Sequence, residues 1–498
     1  MSIFISIKRL FQHSAVYGIG HILNRLITFL LIPLYSNTFA KDELGVYTLV
    51  FSYIVILTVV YSYGLDTAFF RFYILDDTPA GRDKVFSTAY NSIFLTSLLL
   101  SGIIMLIRGP LAARLFSPEI HALPVDLPLM IVLSAGILFF DSMMLMPSLI
   151  LRAEEKPMQF IFFKFLNVVI NFACNFMFII NLKMGIEGIF VANLVSSALT
   201  FLLMLPIVLS HFKLIFHWPT FKDLFAFGIP YLPSTLSVGL MDTIDKIILE
   251  RLDSVEMVGL YGPNAKMGMF MALFITAFRF AWHPFFLSTS KQANAQEVFK
   301  KVFTYVILAC SFVFLFFSLF IDDIVRLRVG RFSLLGEEYW EGTVVVPIIF
   351  LAYIFYAAYI NFIIGIYLEK KTKYLPFITG AGVLGNIAAL YLLIPTIGFV
   401  GAAWARVVAY MIMASALYVV GQRLYPVQHE WGRMVKMGLV VAAIFVLGRS
   451  DWVASSVLLK TALFLLYPAA LFVVRFFEKS ELSAMKRMLH RPSIDRAP

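Results

Sequence analysis

Apolar residues run along this chain in long unbroken blocks separated by short polar connections, not as single stripes on amphipathic helices. About fourteen blocks reach the roughly 20 residues that an α-helix needs to cross a bilayer. The spans predicted from this pattern are 12–34, 44–64, 86–107, 128–151, 159–181 and 185–209, then 222–248, 258–287, 301–320, 343–368, 375–395 and 398–421, and finally 431–448 and 453–476. In lipid every backbone polar group must be satisfied internally, so such a chain is an all-α polytopic membrane protein.

The pattern also repeats. Asp42-Glu43-Leu44-Gly45-Val46-Tyr47 follows the first block as Glu256-Met257-Val258-Gly259-Leu260-Tyr261 opens the eighth, roughly 214 residues later. The turn Gly185-Ile186-Glu187-Gly188 has its counterpart in Gly398-Phe399-Val400-Gly401, and Glu154-Glu155-Lys156 in Glu369-Lys370-Lys371. Six spans per repeat is an even number, so both halves enter the membrane the same way, as parallel, pseudo-symmetric repeats. The expected organisation is an N-terminal six-helix half (1–215), a C-terminal six-helix half (216–425), an extra transmembrane pair (426–476) and a tail (477–498).

Composition agrees with this and removes one alternative. The chain is 60% hydrophobic and 14% charged, where soluble domains average about 25% charged residues. Its net charge of +10 is explained without nucleic acid. If odd spans run outward, most Lys and Arg fall on cytoplasmic connections, among them Lys291, Lys300, Lys301, Lys370, Lys371 and Lys373. Both termini are then cytoplasmic.

That count leaves four basic residues in neither set of connections, and they are read as lying within helices: Arg25, Lys266, Arg279 and Arg406. Each costs roughly 2.5–3.5 kcal/mol at mid-membrane on insertion scales, so each calls for water, an acidic partner or an anionic ligand. Arg25 lies about a third of the way into the first span and Lys266 about a third into the eighth, from the opposite side. Arg279 and Arg406 are expected nearer the inner ends of theirs, where snorkelling to the interface is the plain alternative. The acidic set is Asp141 in the fourth span and Asp242 and Asp245 in the seventh. Asp242 and Lys246 stand at i,i+4 and are expected to pair. Asp141 has no local partner and is a candidate for ion or proton coupling, or for pairing with a cavity arginine. Asp66 and Arg71 are expected to fix the inner end of the second span, and His283 to be structural. Pro230, Pro233 and Gly239 interrupt the seventh span, and Pro33 is expected to end the first.

Other chemistry is thin. Cys174 and Cys310 lie in separate apolar blocks, which gives neither a disulfide framework nor a metal site. Gly380-Ala381-Gly382-Val383-Leu384-Gly385 matches a dinucleotide fingerprint in letters only, because no strand precedes it. No cofactor is expected. A membrane glycosyltransferase would need a sizeable external domain, and the longest external connection, 321–342, is short for one despite its five acids. The chain is therefore not expected to be an enzyme.

The segments RLITFLLIPLYSNTFAKDELGVY, YSYGLDTAFFRFY, DKIILERLDSVEMVGLY and NIAALYLLIPTIGFVGAAWA, set in two six-helix halves, resemble the multidrug/oligosaccharidyl-lipid/polysaccharide exporter superfamily. The polysaccharide-transporter branch of O-antigen flippases is most similar. That resemblance implies a flippase of the bacterial inner membrane that moves undecaprenyl-pyrophosphate-linked oligosaccharide (O-antigen, capsule or exopolysaccharide units) by alternating access. It implies membrane lipid as a partner, H+ or Na+ as coupling ion, and contact with polysaccharide polymerase machinery. Asn24-Arg25 resembles the Ser-Arg pair in the first helix of the related lipid II flippase. Lys266 falls near that protein's eighth-helix arginine, as lysine and at a slightly different spacing. The alternative within the superfamily is cation-coupled multidrug efflux, for which Asp141 and Asp242 would matter more than Arg25.

Overall fold

The computed structural model describes residues 29–478 and Glu481. Eleven helices among them are long and apolar enough to cross a membrane, from Lys41–Leu75 to Trp431–Gly448. Three predicted spans are not among the eleven, each for its own reason. The first lies mostly outside the described residues. The last, Val457–Val473, is apolar but short. The seventh is broken and carries charge: Trp218–Gly228 passes through a single 3-10 turn, Ile229–Tyr231, into Leu232–Leu252. Pro230 and Pro233 supply no backbone N–H at that break, so the expectation of an interrupted helix holds.

Most helices outrun their apolar blocks. The third and ninth extend to Pro79–Leu106 and Ala295–Val325, because their polar ends continue the helix beyond the apolar layer. Local chemistry sets the starts. The Glu43 carboxylate accepts from the Ala40 N–H at 3.1 Å, Thr78 caps Gly81 and Asp126 caps Leu129, satisfying donors that a helix N-terminus leaves open. Pro33 behaves differently from its expectation. It occupies the first turn of Ile32–Ser36 and restarts the helix there, as proline does where no N–H is needed.

Equivalent helices pack equivalently in the two halves. The sixth span lies against the fourth and fifth as the twelfth lies against the tenth and eleventh, and the third meets the fourth as the ninth meets the tenth. The extra pair, Trp431–Gly448 and Val457–Val473, packs on Ala295–Val325. Lys460 bonds Asp323 there at 2.6 Å, and Ser311 meets the Tyr467 hydroxyl at 2.5 Å.

The halves meet at two glycine crossings, one near each end of the second span. At one end, Lys41–Ser62 crosses Val255–Lys266 where the repeated motif places Gly45 and Gly259. A Cβ on Gly259 would lie 2.9 Å from the Gly45 nitrogen and 2.6 Å from the Lys41 carbonyl carbon. At the other end the chain turns through Tyr63 (φ 33) and Gly64 (φ 77), and Gly64 backs onto Gly228 so closely that a side chain on either would strike backbone. Arg71, just past this turn, lies over the Phe227 ring at 4.4 Å. The first crossing is covered by a small antiparallel hairpin, Arg328–Val329 with Phe332–Ser333. Asn37 clamps that hairpin: its amide donates to the Ser333 carbonyl at 2.8 Å and its oxygen accepts from the Ser333 hydroxyl at 2.9 Å. Tyr339 adds a bond to the Phe39 carbonyl at 2.8 Å, and Lys41 reaches Glu256 at 3.5 Å. The stretch expected to be an external loop is thus a lid bonded to the connection between the first and second spans.

Candidate functional site

The eighth span does not cross as one helix. Val255–Lys266 ends at Lys266, and Met269–Thr289 starts again after Met267 and Gly268. A Cβ on Gly268 would press on Ile349 and Tyr353, so the break fits the tenth span against the eighth. Lys266 is therefore the last residue of a half-helix, not a side chain partway along a continuous one. The open carbonyls there carry partial negative charge that favours an ammonium.

Lys266 faces a cavity of about 310 Å³ whose walls include Phe29 and Ile32 of the first span, Asp242 and Lys246 of the seventh, and Arg406 of the twelfth. Its Nζ stands 5.0 Å from the centre of the Tyr47 ring. Among the described residues no carboxylate comes within ion-pair distance of it. A cation over an aromatic face recovers about 2 kcal/mol when desolvated, less than the hydration it gives up.

The neighbouring charges are arranged otherwise. Asp245, 1% exposed, accepts from the Arg406 Nη2 at 2.6 Å, from the Tyr261 hydroxyl at 2.8 Å and from the Lys246 Nζ at 2.9 Å. Lys246 also donates to the backbone carbonyl of Asp242 at 2.6 Å. The expected Asp242–Lys246 ion pair is thus replaced by Asp245–Lys246, and the Asp242 carboxylate is left exposed. The reason is desolvation: the buried carboxylate gains more from a cation than the exposed one does. Arg406 is also placed differently from its expectation. It lies in the first third of Phe399–Leu424, not near the far end, and its guanidinium is held by Asp245. Three cations (Lys246, Lys266, Arg406) and two acids (Asp242, Asp245) leave this region with a surplus of one positive charge.

The structure does not bring every candidate here. Arg279 does not line this cavity; it acts electrostatically on His283, whose ring stacks on Tyr367 at 5.5 Å. Arg25 lies outside the described residues. Asp141 sits in a second cavity, of about 520 Å³, in the N-terminal half. It does have partners there. Ser197 donates to it at 2.7 Å, and Lys164 of the fifth span shares the cavity and acts on it electrostatically. Of the two expectations for Asp141, coupling or pairing with a cavity arginine, the second is not met among the described residues: the cation that acts on it is a lysine, and it does so without an ion pair. Lys164 was legible only as part of a stripe: Lys164, Asn167, Asn171 and Asn175 are spaced three and four apart, one polar face on an otherwise apolar helix.

The described residues thus form a multi-pass helical bundle with charged cavities in both halves and glycine crossings between them. The profile of a family described as polysaccharide biosynthesis protein matches residues 10–290, more than half of the chain. The chain belongs to that family. Its fold is similar to that of a lipid II flippase, MurJ, in an inward closed conformation, with a TM-score of 0.73 at 15% identity over 93% of this chain and 100% of that one. A multidrug resistance MATE family transporter of the MOP superfamily, inward-facing, gives 0.59 at 18% identity over 80% of this chain and 93% of that one. The Vibrio cholerae MATE transporter VcmN in its bent form gives 0.51 at 13% identity, over 84% and 96%. No curated protein matches the sequence.

Proposed function

We propose that this protein is a flippase for polyprenyl-pyrophosphate-linked glycan, working in the bacterial inner membrane by alternating access. The observation that carries this is Lys266, a cation with no ion-pair partner among the described residues, facing a cavity with surplus positive charge. A pyrophosphate is a dense anion that supplies what the site lacks. Lys266 attracts it as a point charge, and Arg25, if brought to the same cavity, grips it bidentately. Arg406 supports the site through Asp245 more than it serves as a free ligand. With the basic connections inside, the hairpin face is external. The two halves are then joined on that side by the Gly45–Gly259 crossing and the Asn37 clamp, and export requires those contacts to part while the polyprenyl tail stays in lipid.

Native mass spectrometry on the purified protein tests this by offering undecaprenyl pyrophosphate, undecaprenyl phosphate and a lipophilic cation in competition. The expected result is preference for the pyrophosphate, weakened in Lys266→Ala and in Arg25→Ala. Preference for the cation, indifferent to both substitutions, would refute the assignment and favour cation-coupled efflux.

A further inference from the structure

The N-terminal cavity holds groups that a pyrophosphate site does not use. Its walls come from the fourth, fifth and sixth spans together with Leu31, Phe51 and Thr58. The fifth and sixth are joined by a ladder of neutral bonds: Asn167 donates to the Thr200 hydroxyl at 3.1 Å, Asn171 to the Ser196 hydroxyl at 3.1 Å, and Asn175 to the Asn171 side-chain oxygen at 3.0 Å. Tyr35 closes the ladder onto the first span through the Asn175 oxygen at 2.8 Å. These bonds fix the backing of the cavity. They leave the Asn193 amide, the second oxygen of Asp141 and the Lys164 ammonium facing into it with no hydrogen-bond partner among the described residues.

That set mixes donors and acceptors on three helices. A hydroxyl group both donates and accepts, so a polyol uses all of it. A bare cation would need converging oxygens, whereas here an ammonium stands beside the one carboxylate. No group of three His, Cys, Asp or Glu that could hold a metal occurs among the described residues. Arg152, in the last turn of the fourth span, adds a further positive charge to the wall. Phe51 and Phe163 supply apolar faces, and about 520 Å³ is within the range of pockets that bury a small ligand. The two cavities also share a wall: Leu31 lines this one, while Phe29 and Ile32 line the Lys266 cavity.

We propose that the N-terminal cavity is a sugar-binding subsite, in which Asn193, Asp141 and Lys164 hold hydroxyl groups of the glycan. It rests on the flippase reading above, with the pyrophosphate at the Lys266 cavity across the shared wall. Selectivity for the cargo then resides in the N-terminal cavity and grip on the carrier at the Lys266 cavity.

The full chain in detergent is offered undecaprenyl pyrophosphate alone and, separately, the polyprenyl-pyrophosphate glycans extracted from the cells that make this protein. Wild type is expected to bind the glycosylated lipid at least about ten-fold more tightly, the equivalent of one or two good hydrogen bonds. Asn193→Leu, and Asn193→Ala as the milder variant, are expected to lower that preference by about ten-fold and leave the affinity for the bare lipid unchanged. Lys266→Ala weakens both ligands. Equal binding of the two lipids by wild type, or an unchanged preference in both Asn193 variants, overturns the subsite. Failure of wild type to bind the bare pyrophosphate overturns the Lys266 reading and the subsite with it.

Discussion

Gly259→Ala is the substitution that most directly tests whether the two halves separate on the hairpin face. The added Cβ would overlap the Lys41 carbonyl oxygen and lie 2.6 Å from its carbon, where ordinary contact begins at 3.4 Å. The second span must therefore withdraw by at least the difference between 2.6 and 3.4, or 0.8 Å. The obstruction is helix backbone, which cannot swing aside as a long side chain does. Overpacking of this kind costs about 1–3 kcal/mol. In a state with the halves apart on this face the methyl group meets nothing, so the whole cost falls on the closed state. That shifts the closed-to-open ratio by about 5- to 150-fold. Spin labels at the exposed positions Ala40 and Glu338, in a background with Cys174 and Cys310 replaced by alanine, report the separation across the face. The expected result is a new population at longer distance in Gly259→Ala. An unchanged distance distribution together with an unchanged melting temperature would show that the crossing yields without opening, and the argument would fail.

Two further outcomes concern stability. Asp245→Ala leaves Arg406 and Lys246 facing each other without the carboxylate between them; breaking a buried ionic network costs about 3–5 kcal/mol, so the melting temperature in detergent should fall sharply, and Asp242→Ala should not reproduce the fall. His429 lies between the twelfth and thirteenth spans, enclosed by the rings of Phe303, Phe362, Tyr418 and Trp431. Burial lowers its pKa to about 4. The unfolded imidazole takes up a proton near pH 6.5, so its contribution is complete above that pH and is lost as pH falls from 6.5 toward 4. Stability measured across that window should fall more steeply in wild type than in His429→Phe.

The apolar blocks alone carried most of the architecture into view, because in a membrane the length and hydropathy of a helix are set by the solvent around it. The break at Pro230 and Pro233 was legible for an equally local reason, the missing N–H groups. The repeat at Gly45 and Gly259 was visible as letters, but its meaning was not. Only three dimensions show that these glycines touch. The ion pairs were misassigned because spacing along one helix favours Asp242 with Lys246, whereas burial decides the matter at Asp245, the residue before Lys246, whose shortest bond is to a guanidinium 161 residues away. The break after Lys266 had local signals that the spacing of charges did not use: Pro263, one turn before it, and Gly268, which stands at it. The asparagine stripe of the fifth span was readable from its spacing and lay in plain sight.

The separation of Asp245 from Arg406 also bears on how the protein is made. The seventh span, with Asp242, Asp245 and Lys246, is the one least able to enter a membrane unaided. Ribosomes add roughly 5–20 residues per second, so the 161 residues between Asp245 and its arginine take about 8–32 s to synthesise. During that interval the carboxylate has Lys246 beside it and Tyr261 16 residues later, and no guanidinium. The span must wait at the translocon or in the interface until the twelfth emerges. A ribosome stalled before Arg406 would then hold a nascent chain whose seventh segment remains extractable, and one stalled after Leu424 would not.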